Sequence, residues 1–470
     1  MTMTHIENKE LVSISYGGYA SGKTTQYTPS NEQEVVALLQ YAQSENRRLT
    51  LRGAGLSMDS HSVSRDISLS MEAFSDIQVD EVNATVTAGA GASWGAIMDK
   101  VVPMGLAPAV VISTRFATVG GTLSQNSLCK FSSIYGKEGC SVLSFRLLTL
   151  DGEARLCSRE ENRELFYSVI GGFGNLGVIV EVTHQLKRVG LPNHVESYCI
   201  AKEEKLEGLG KALIPESPDE TRYGIISMNA RKLRQLRFHS KHSNDKKLHR
   251  IWLYKPTGWL RVLVECIVHA MSKLANFVWM LAFYFHPFKN RRYIDEFMHF
   301  SFFTDANVKA RALMKRFGRT FRMLEQTYVI PVQDGNVETF VQEMAQLCRK
   351  NNVYPMLFDV MYLPEDEDFL LSSTRGMSGV AINITFEGMN QKEALSIQEL
   401  FSTMSQRCGE MGGRIHLVKN VYARPELLHQ MYGEALQEFL EVKKKYDPNH
   451  ILGSDFVERI FALDTKEPSN

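Results

Sequence analysis

The chain has 470 residues, which is too long for one ordinary hydrophobic core and predicts two substantial domains. Hydrophobic residues make up 44% of it and charged residues 23%, a balance that excludes a largely disordered chain. Lys plus Arg and Asp plus Glu both number 53, so the global charge gives no reason to expect a nucleic-acid partner. The 7 cysteines form no CxxC pair, no His cluster has zinc spacing, and residues 1–10 lack a signal-peptide core. We therefore expect reduced thiols, no metal site and a cytoplasmic location.

The first third of the chain is rich in predicted strands and glycine-containing turns. Ser30 and Gln33 fit a capping box, and the helix that they open is expected to reach about Glu45. Asp151-Gly152 is a hairpin turn signal between two short apolar runs. Other strands are predicted at 49–52, 67–71, 85–88 and 178–186, and helices at 94–102 and 426–446.

Residues 17–24, GGYASGKT, match the phosphate-loop pattern GxxxxGK[ST]. That motif requires a helix directly after its lysine, here Lys23, because the helix N-terminus binds the phosphates. The following residues are poor helix formers and end at Pro29. A glycine-rich loop is therefore favoured, and a nucleotide-binding protein is kept as the less favoured alternative.

Residues 172–177, GFGNLG, match the GxGxxG dinucleotide-binding pattern. A Rossmann fingerprint needs a helix after the glycines, because the pyrophosphate sits at its N-terminus. The residues that follow are β-branched and predict a strand instead. A nicotinamide-binding fold is therefore disfavoured, although the glycines still permit close approach of a ligand.

Two further segments of small residues precede that run. Residues 52–57, RGAGLS, leave a predicted strand, and their backbone N–H groups can form an anion-binding concavity for a pyrophosphate. Residues 117–123, ATVGGTL, form a second loop of small residues. Each segment alone is a weak signal, because glycine-rich turns are common.

In their order and spacing these segments resemble the FAD-binding domain of the vanillyl-alcohol oxidase and p-cresol methylhydroxylase (PCMH-type) superfamily. The resemblance covers most of the first 190 residues, and the motifs KKKYDP at 443–448 and ILGSD at 451–455 extend it to the chain end. Within the superfamily the chain is most similar to the branches of decaprenylphosphoryl-ribose oxidase and the sterol side-chain reductases.

The resemblance implies an α+β fold with two domains. A PCMH-type FAD-binding domain is expected over 1–190 and completed by 440–470. A substrate domain, a mixed α/β unit with an antiparallel sheet flanked by helices, is expected over 191–440. The implied activity is that of an FAD-dependent oxidoreductase that transfers a hydride between flavin N5 and an alcohol, a sugar or a lipid-linked substrate.

The resemblance also implies which residues contact the cofactor. They are Arg52, Gly53, Ala54, Gly55, Leu56, Ser57, Thr118, Val119, Gly120, Gly121, Gln125, Asn126, Ser127, Leu128, Gly174, Gly177 and Ile179.

The chain departs from the family pattern at four positions. Many relatives carry a His covalently linked to the flavin where this chain has Leu56, so non-covalent FAD is expected. A second flavin-proximal His is replaced by Leu128, and a pocket Lys and a pocket Cys fall at Met361 and Asn383. These departures keep open a catalytically diverged flavin- or lipid-binding protein.

Three residues are candidates for catalysis. Lys419 ends the segment GGRIHLVK, which resembles the one that carries the active-site lysine of the ribose oxidases. A cation there would stabilise the anionic reduced flavin. Tyr135 and His416 also have suitable chemistry for proton transfer, and the choice among the three stays open.

The middle of the chain is basic and then strongly apolar. Residues 231–261 hold ten Lys or Arg against one acid, Asp245. Trp259–Phe285 is the most hydrophobic stretch, but charged residues interrupt it and its longest charge-free run is shorter than the roughly 18 residues of a membrane span. Either it forms a core helix whose polar stripe faces water, or the insertion at about 231–292 lies in the plane of an anionic membrane. The basic flanks favour the membrane, at its cytoplasmic face.

Overall fold

The first sheet of the fold has four strands and contains the hairpin whose turn matches the phosphate-loop pattern. The computed structural model describes residues 6–203, 206–228, 233–246, 258–270, 292–319, 322–333, 335–366 and 369–461. The strands of this N-terminal sheet are, in spatial order, Glu7–Ile14, Ser21–Thr28, Ile67–Ser70 and Leu49–Arg52. Lys23 pairs with Val12 inside the antiparallel hairpin. The phosphate-loop interpretation is therefore wrong, because a strand and no helix follows the glycines.

A helix at Glu32–Ser44 has a buried face of Val35, Leu38, Leu39 and Ala42, and it contacts the strand Val142–Leu148 of the second sheet. Its N-cap is Asn31, not the expected Ser30. Asn31 Oδ1 accepts from the Glu34 backbone N–H at 2.9 Å, and the Glu34 carboxylate accepts from the Ser30 backbone N–H at 2.7 Å. The capping interaction is thus displaced by one residue, because asparagine caps a helix as well as serine does.

The second sheet has six strands around a long central one. The spatial order is Ile77–Asp80, Thr85–Gly89, Val178–Arg188, Val142–Leu148 and Ala154–Ser158, and Leu106–Pro108 also pairs with the central strand. The predicted hairpin at Asp151-Gly152 is confirmed. The central strand begins directly after Gly177, which confirms that no Rossmann helix follows the GxGxxG pattern.

The third sheet has eight strands, and every neighbouring pair in it is antiparallel. Its spatial order is Arg292–Glu296, His194–Glu203, Leu233–Ser243, Thr221–Met228, Leu357–Leu363, Gly379–Glu387, Met323–Pro331 and Arg414–His416. The helices Asn336–Lys350 and Gln391–Glu410 cover one face of this sheet, where Tyr328 Oη donates to Phe401 O at 3.1 Å. The predicted α+β class, with an antiparallel sheet flanked by helices, is confirmed.

The C-terminal segment returns to the N-terminal sheet. The helix Pro425–Tyr446 contains a break at Gly433, whose φ is 52°, and the helix Asp455–Phe461 follows. Leu49 forms a parallel bridge with Leu452, and Thr50 Oγ1 donates to Gly453 O at 2.7 Å. The exact domain boundaries given above stay predictions.

The remaining helices are short, apart from two in the second half. They are Trp94–Val101, Val119–Leu123, Ser132–Tyr135, Arg163–Val169, Leu209–Ala212, Trp259–Ala270, Phe297–Ser301 and Asp305–Arg316. The predicted helix at 94–102 is confirmed, whereas residues 271–285 of the apolar stretch lie outside the described ranges. Among the helices of the described ranges, none combines the length and the apolar content needed to cross a bilayer.

Candidate active site

The three small-residue segments of the first half meet in space. A Cβ added to Gly53 would lie 2.3 Å from Thr118 Oγ1, so the first segment packs directly on the second. Backbone N–H groups of Gly171 and Phe173 donate to carbonyls of Leu123 and Ser124 at 3.1 and 2.8 Å, which joins the third segment to the second. We call this meeting point of residues 52–57, 117–128 and 171–179 the cradle.

The first segment of the cradle presents its backbone outward. In the described chain, the backbone N–H groups of Gly53, Ala54, Gly55 and Leu56 have no protein acceptor. Gly55 has φ of 70°, and a Cβ there would lie 2.3 Å from the Arg52 guanidinium. Successive free N–H groups in such a turn form the concavity that binds phosphate oxygens.

Side chains hold this segment in place from behind. Arg52 Nη1 donates to Ser13 Oγ at 3.1 Å, and burial lowers the pKa of its guanidinium. Gln125 Nε2 donates to Ser57 Oγ at 3.2 Å, which ties the end of the first segment to the second. The predicted residues Arg52, Ser57 and Gln125 are thus brought together.

The second segment is a short helix, Val119–Leu123, and not the loop that its two glycines predict. Tertiary contacts overcome the low helix propensity of glycine here, because Val119 N donates to Ala92 O and Gly120 N to Ala90 O, both at 2.9 Å. Gly121 follows, with a virtual Cβ 3.0 Å from Thr118 Oγ1.

The residues after this helix face both the third segment and the eight-stranded sheet. Asn126 has φ of 46°, and its Oδ1 accepts from the Gly139 backbone N–H at 2.9 Å. Ser127 Oγ donates to Thr122 O at 2.9 Å. Leu128 packs against a buried apolar cluster of the eight-stranded sheet: Val329, Met361, Leu363 and Ala381. Met361 is thus placed beside the cradle, as part of an apolar patch.

The third segment is fixed by the chain end. Gly174 has φ of 73°, Gly177 leads into the central strand, and Ile179 is buried in it. Lys443 Nζ donates to Asn175 O at 3.0 Å, to Leu452 O at 2.7 Å and to Asp447 Oδ2 at 2.5 Å. Lys443 and Asp447 of the motif KKKYDP therefore act as a buried clamp on the cradle.

Several buried polar atoms of the cradle lack a partner within the described residues. They include Thr118 Oγ1, Asn126 Nδ2 and Asn175 Oδ1. A buried polar group without a hydrogen bond costs about 1–3 kcal/mol, so these atoms fit a polar ligand in the cradle. Free N–H groups, close-packed glycines and orphaned polar atoms together fit the pyrophosphate and ring edges of a flavin dinucleotide.

A second polar cluster lies on the face of the eight-stranded sheet that is opposite its helices. Asn383 is at its centre, and its Oδ1 accepts from Thr327 Oγ1 at 2.7 Å. Its Nδ2 donates to Glu325 Oε1 and to Asp359 Oδ1, both at 2.9 Å. Lys419 Nζ lies 3.1 Å from Glu325 Oε2. We call these five residues, together with Tyr223, the sheet-face network.

Tyr223 completes the network through a side-chain hydrogen bond with Asp359. Burial raises the pKa of the Asp359 carboxyl to about 6, and the charge of Glu325 acts in the same direction. Hydrogen bonds from Asn383 and Tyr223 to its ionised form oppose this effect. Burial also raises the pKa of the Tyr223 phenol well above its usual range.

Lys130 approaches the same region from the cradle side. Its Nζ lies 4.0 Å from the ring centroid of Phe303 and 4.4 Å from that of Phe300. Burial lowers the pKa of this ammonium to about 8, while the nearby charge of Asp359 raises it. Such cation–aromatic contacts hold a buried lysine without a direct ion pair.

The three predicted catalytic residues occupy different environments. Lys419 belongs to the network and is about one third exposed, with 32% of its side chain accessible. His416 is buried beside it, and its Nδ1 lies 3.2 Å from Ser373 Oγ, whereas its Nε2 has no partner among the described residues. Burial holds the pKa of His416 well below its usual range, which makes it a weak proton acceptor at neutral pH.

Tyr135 does not join the network by any hydrogen bond or ring contact that the described residues show. Its ring lies 4.9 Å from Lys187 Nζ and 6.2 Å from the ring of Phe131. Burial raises the pKa of its phenol, and Asp219 adds to that shift. Tyr135 is therefore the weakest of the three catalytic candidates.

Sequence reasoning missed Tyr223, Glu325, Asp359 and Lys130. Glu325 and Thr327 sit in the largely apolar strand Met323–Pro331, which also contains Gln326. Asp359 and Tyr223 lie on two other strands. The register of four strands brings them together: Thr327 pairs with Asn383, which pairs with Asp359. Nothing short of the strand pairing could have revealed this cluster.

Two family models of known proteins match parts of this chain. A family model described as an FAD binding domain matches residues 26–158. A second family model, D-arabinono-1,4-lactone oxidase, matches residues 239–460. The first model contains the first two segments of the cradle, and the second contains most of the sheet-face network.

Relatives of this chain carry flavoenzyme names. Cytokinin dehydrogenase 2 of Arabidopsis thaliana is 31% identical over 175 residues, which is 35% of each chain. FAD-linked oxidoreductase fogF of Aspergillus ruber is 26% identical over 43% of this chain and 42% of its own length. The match thus spans less than half the length of these relatives. Decaprenylphosphoryl-beta-D-ribose oxidase of Mycolicibacterium smegmatis is 22% identical over 459 residues, 93% of this chain and 94% of its own.

Fold, cradle and relatives define an FAD-binding protein of the α+β oxidoreductase type. The chain belongs to the vanillyl-alcohol oxidase and p-cresol methylhydroxylase (PCMH-type) superfamily of FAD-binding oxidoreductases. The predicted cofactor, FAD, is thereby confirmed.

Proposed function

We propose that the chain is an FAD-dependent oxidoreductase that transfers a hydride between flavin N5 and a carbon bearing a hydroxyl group. The observation that carries this proposal is the sheet-face network beside the cradle, with Lys419, Glu325, Asn383 and Asp359 joined at 2.9–3.1 Å. Bound in the cradle, FAD supplies the two-electron chemistry. The network supplies hydrogen-bond donors and acceptors that orient a hydroxyl group and take up its proton.

The substrate class follows from the composition of the sheet face. Carboxylates, an amide, a phenol and an ammonium group suit a polyhydroxylated group such as a sugar, a polyol or a lactone. The apolar patch of Leu128 and Met361 at the edge of the network suits a hydrocarbon part. An alcohol, a sugar or a lipid-linked sugar fits both surfaces, in agreement with the names of the lactone oxidase family and the prenylphosphoryl-ribose oxidase.

We propose that the cradle holds FAD without a covalent bond through the residues predicted above. Support comes from the side chains of the first segment, among which Leu56 offers no nucleophilic atom for flavin attachment. Thr118, Asn126 and the free N–H groups of 53–56 offer polar partners instead.

The test is a substrate screen by flavin colour. Holoenzyme is mixed anaerobically with a fixed panel: glucitol, an aldono-1,4-lactone, an isoprenoid phosphoryl-sugar and an isoprenoid amine. We expect bleaching near 450 nm by at least one hydroxyl-bearing member. Two negative results together would support the diverged flavin- or lipid-binding protein instead. No panel member would bleach the bound flavin, and the chemically reduced flavin would transfer no hydride to the corresponding carbonyl compounds.

We further propose that the enzyme works peripherally at the cytoplasmic face of an anionic membrane. The helix Trp259–Ala270 turns its polar stripe inwards: Arg261 and Glu265 are 22% and 20% exposed, and Arg261 donates to Phe303 O at 3.5 Å. Its apolar side chains face outwards instead, with Trp259 77% and Ile267 51% exposed. This is the reverse of a core helix whose polar stripe faces water, and it suits insertion of the apolar face among lipid head groups.

Vesicle co-sedimentation tests the membrane proposal. The double variant Leu263→Ser and Ile267→Ser should lower binding to phosphatidylserine-containing vesicles roughly tenfold or more, because each exposed apolar side chain contributes about 1 kcal/mol on burial. Leu395→Ser, which changes a leucine on another helix that is at least as exposed, is the control. Equal binding of all three proteins would contradict the proposal.

A further inference from the structure

The sheet-face network contains two carboxylates in different electrostatic situations. Asn383 Nδ2 donates one hydrogen bond to each, so Glu325 and Asp359 lie on either side of a single amide nitrogen. Glu325 forms an ion pair with the Lys419 ammonium at 3.1 Å. No Lys or Arg within the described ranges forms an ion pair with Asp359, and its hydrogen-bond partners there, Asn383 and Tyr223, are neutral groups.

We propose that Asp359, positioned by Tyr223 and Asn383, is the group that accepts the proton of the substrate hydroxyl. This inference rests on the proposed function. The substrate O–H bond breaks, and its proton forms an O–H bond with a carboxylate oxygen of Asp359. The carbon that bears this hydroxyl group loses its hydrogen as a hydride, with both electrons of the C–H bond, to oxidised FAD. The alcohol thereby becomes a carbonyl compound.

The alternatives on the page are chemically less suitable. Lys419 forms an ion pair with Glu325 at 3.1 Å, and an ammonium group has no free electron pair to accept a proton. Burial holds the pKa of His416 well below its usual range, so this imidazole is a weak base. Tyr223 donates a hydrogen bond to Asp359, and its phenol keeps a high pKa. Asp359 is partly exposed and, with a pKa raised to about 6, is ionised at neutral pH yet still basic.

The charged and titratable groups around Asp359 come from four other elements. Tyr223 faces it from the neighbouring strand Thr221–Met228, Glu325 from Met323–Pro331, and Lys419 from the segment after Arg414–His416. Lys130 approaches from the chain just before the helix Ser132–Tyr135. Their effects on Asp359 have opposite signs: Glu325 raises its pKa, whereas Tyr223 and Lys419 lower it.

The sign of the pH dependence follows from these contacts. A base must be ionised to accept a proton, so flavin reduction should rise with pH through an apparent pKa near 6 and then level off. Glu325→Gln removes a like charge and should move this limb to lower pH. Tyr223→Phe removes a hydrogen bond to the ionised carboxylate and should move the limb to higher pH.

The experiment measures anaerobic flavin reduction in the holoenzyme between pH 4.5 and 8.5, with the panel member that bleaches the flavin fastest. Asp359→Asn should lose the limb and slow reduction about 10²–10⁴-fold at pH 7.5, the usual contribution of a general base. Asp76→Asn is the matched control and should behave as the wild type, because Asp76 is a surface residue at the edge of the six-stranded sheet. Bound-flavin content and midpoint of thermal unfolding are recorded for every variant.

A second readout does not depend on turnover. In protein labelled with ¹³C at the aspartate carboxyl carbons, one resonance should titrate near pH 6 and disappear in Asp359→Asn. Glu325→Gln and Tyr223→Phe should shift that midpoint in opposite directions, as they do the kinetic limb. A purely structural role of Asp359 predicts no such pair of opposed shifts.

The outcomes separate this inference from the proposed function. Reduction of the wild-type flavin with the limb retained in Asp359→Asn would overturn the inference and leave the proposed function intact. A wild-type flavin that no panel member reduces, and whose reduced form no corresponding carbonyl compound reoxidises, would overturn both. Loss of the limb together with opposed shifts in Glu325→Gln and Tyr223→Phe would support both.

Discussion

The cradle and the sheet-face network are built from different kinds of material. The cradle consists of backbone N–H groups and glycines that leave room, such as Gly53, whose virtual Cβ would lie 2.3 Å from Thr118 Oγ1. The network consists of long polar side chains that extend from separate strands towards Asn383. Added atoms should therefore damage the cradle, and removed atoms should damage the network. A site that always binds the same cofactor can be formed by backbone groups. A site that selects a substrate is formed by side chains, which change from one protein to another.

The largest effect is expected at the clamp that closes the cradle. Lys443→Met removes the ammonium and leaves Asp447 buried without its cation, which should cost about 3–5 kcal/mol of the free energy of unfolding. FAD should dissociate more readily, because Asn175 loses its tie to the chain end. Urea unfolding and bound-flavin content measure both effects.

Lys445→Met is the control for the clamp. Its ammonium pairs with Glu164 at 2.6 Å on the surface, and such exposed pairs contribute about 0–1 kcal/mol. A Lys443→Met protein as stable as Lys445→Met would show that the clamp does not stabilise the cradle.

The network should respond in rate and not in cofactor binding. Lys419→Met leaves the cradle unchanged but removes the cation from Glu325, so flavin content should stay at the wild-type level. Flavin reduction should slow about 10²–10³-fold, the effect of removing one electrostatic group that stabilises developing charge. Stopped-flow bleaching provides the rate, and Lys350→Met on the surface provides the control. Loss of FAD from Lys419→Met would erase the distinction between the two regions.

The cradle should respond in the opposite way. Gly53→Val places atoms against Thr118 Oγ1, and overpacking of about 1–3 kcal/mol corresponds to a loss of FAD affinity of roughly tenfold to a hundredfold. The flavin that remains bound should be reduced at the wild-type rate. Fluorescence titration of apoprotein with FAD measures the affinity. Gly453→Ala is the matched control, since its nearest atoms lie 3.9 Å away.

The smallest effect is expected in the scaffold outside both regions. Asn31→Ala removes the N-cap of the helix Glu32–Ser44 and should cost about 1 kcal/mol in thermal or urea unfolding. Ser30→Ala should cost less, because the Ser30 backbone N–H can still donate to Glu34. An equal loss in both variants would contradict the assignment of Asn31 as the cap.

The two regions also differ in what the sequence could predict. At Gly53, Gly55 and Gly174 a side chain would collide with neighbouring atoms, so only glycine fits there. These glycines therefore form short motifs that can be recognised in the sequence. The helix at Val119–Leu123 escaped prediction because distant carbonyls stabilise it. Asp359 and Tyr223 escaped because only strand register brings them together. Lys419 was found by resemblance alone, since a single lysine has no pattern.

We propose above that this chain binds FAD in the cradle without a covalent bond. The most direct test is the visible absorption spectrum of the purified protein before and after acid precipitation. A flavin spectrum in the intact protein that moves entirely into the supernatant is the predicted result. Colour that stays in the pellet would contradict non-covalent binding. A colourless protein that takes up no added FAD would contradict FAD binding itself and the activity proposed from it.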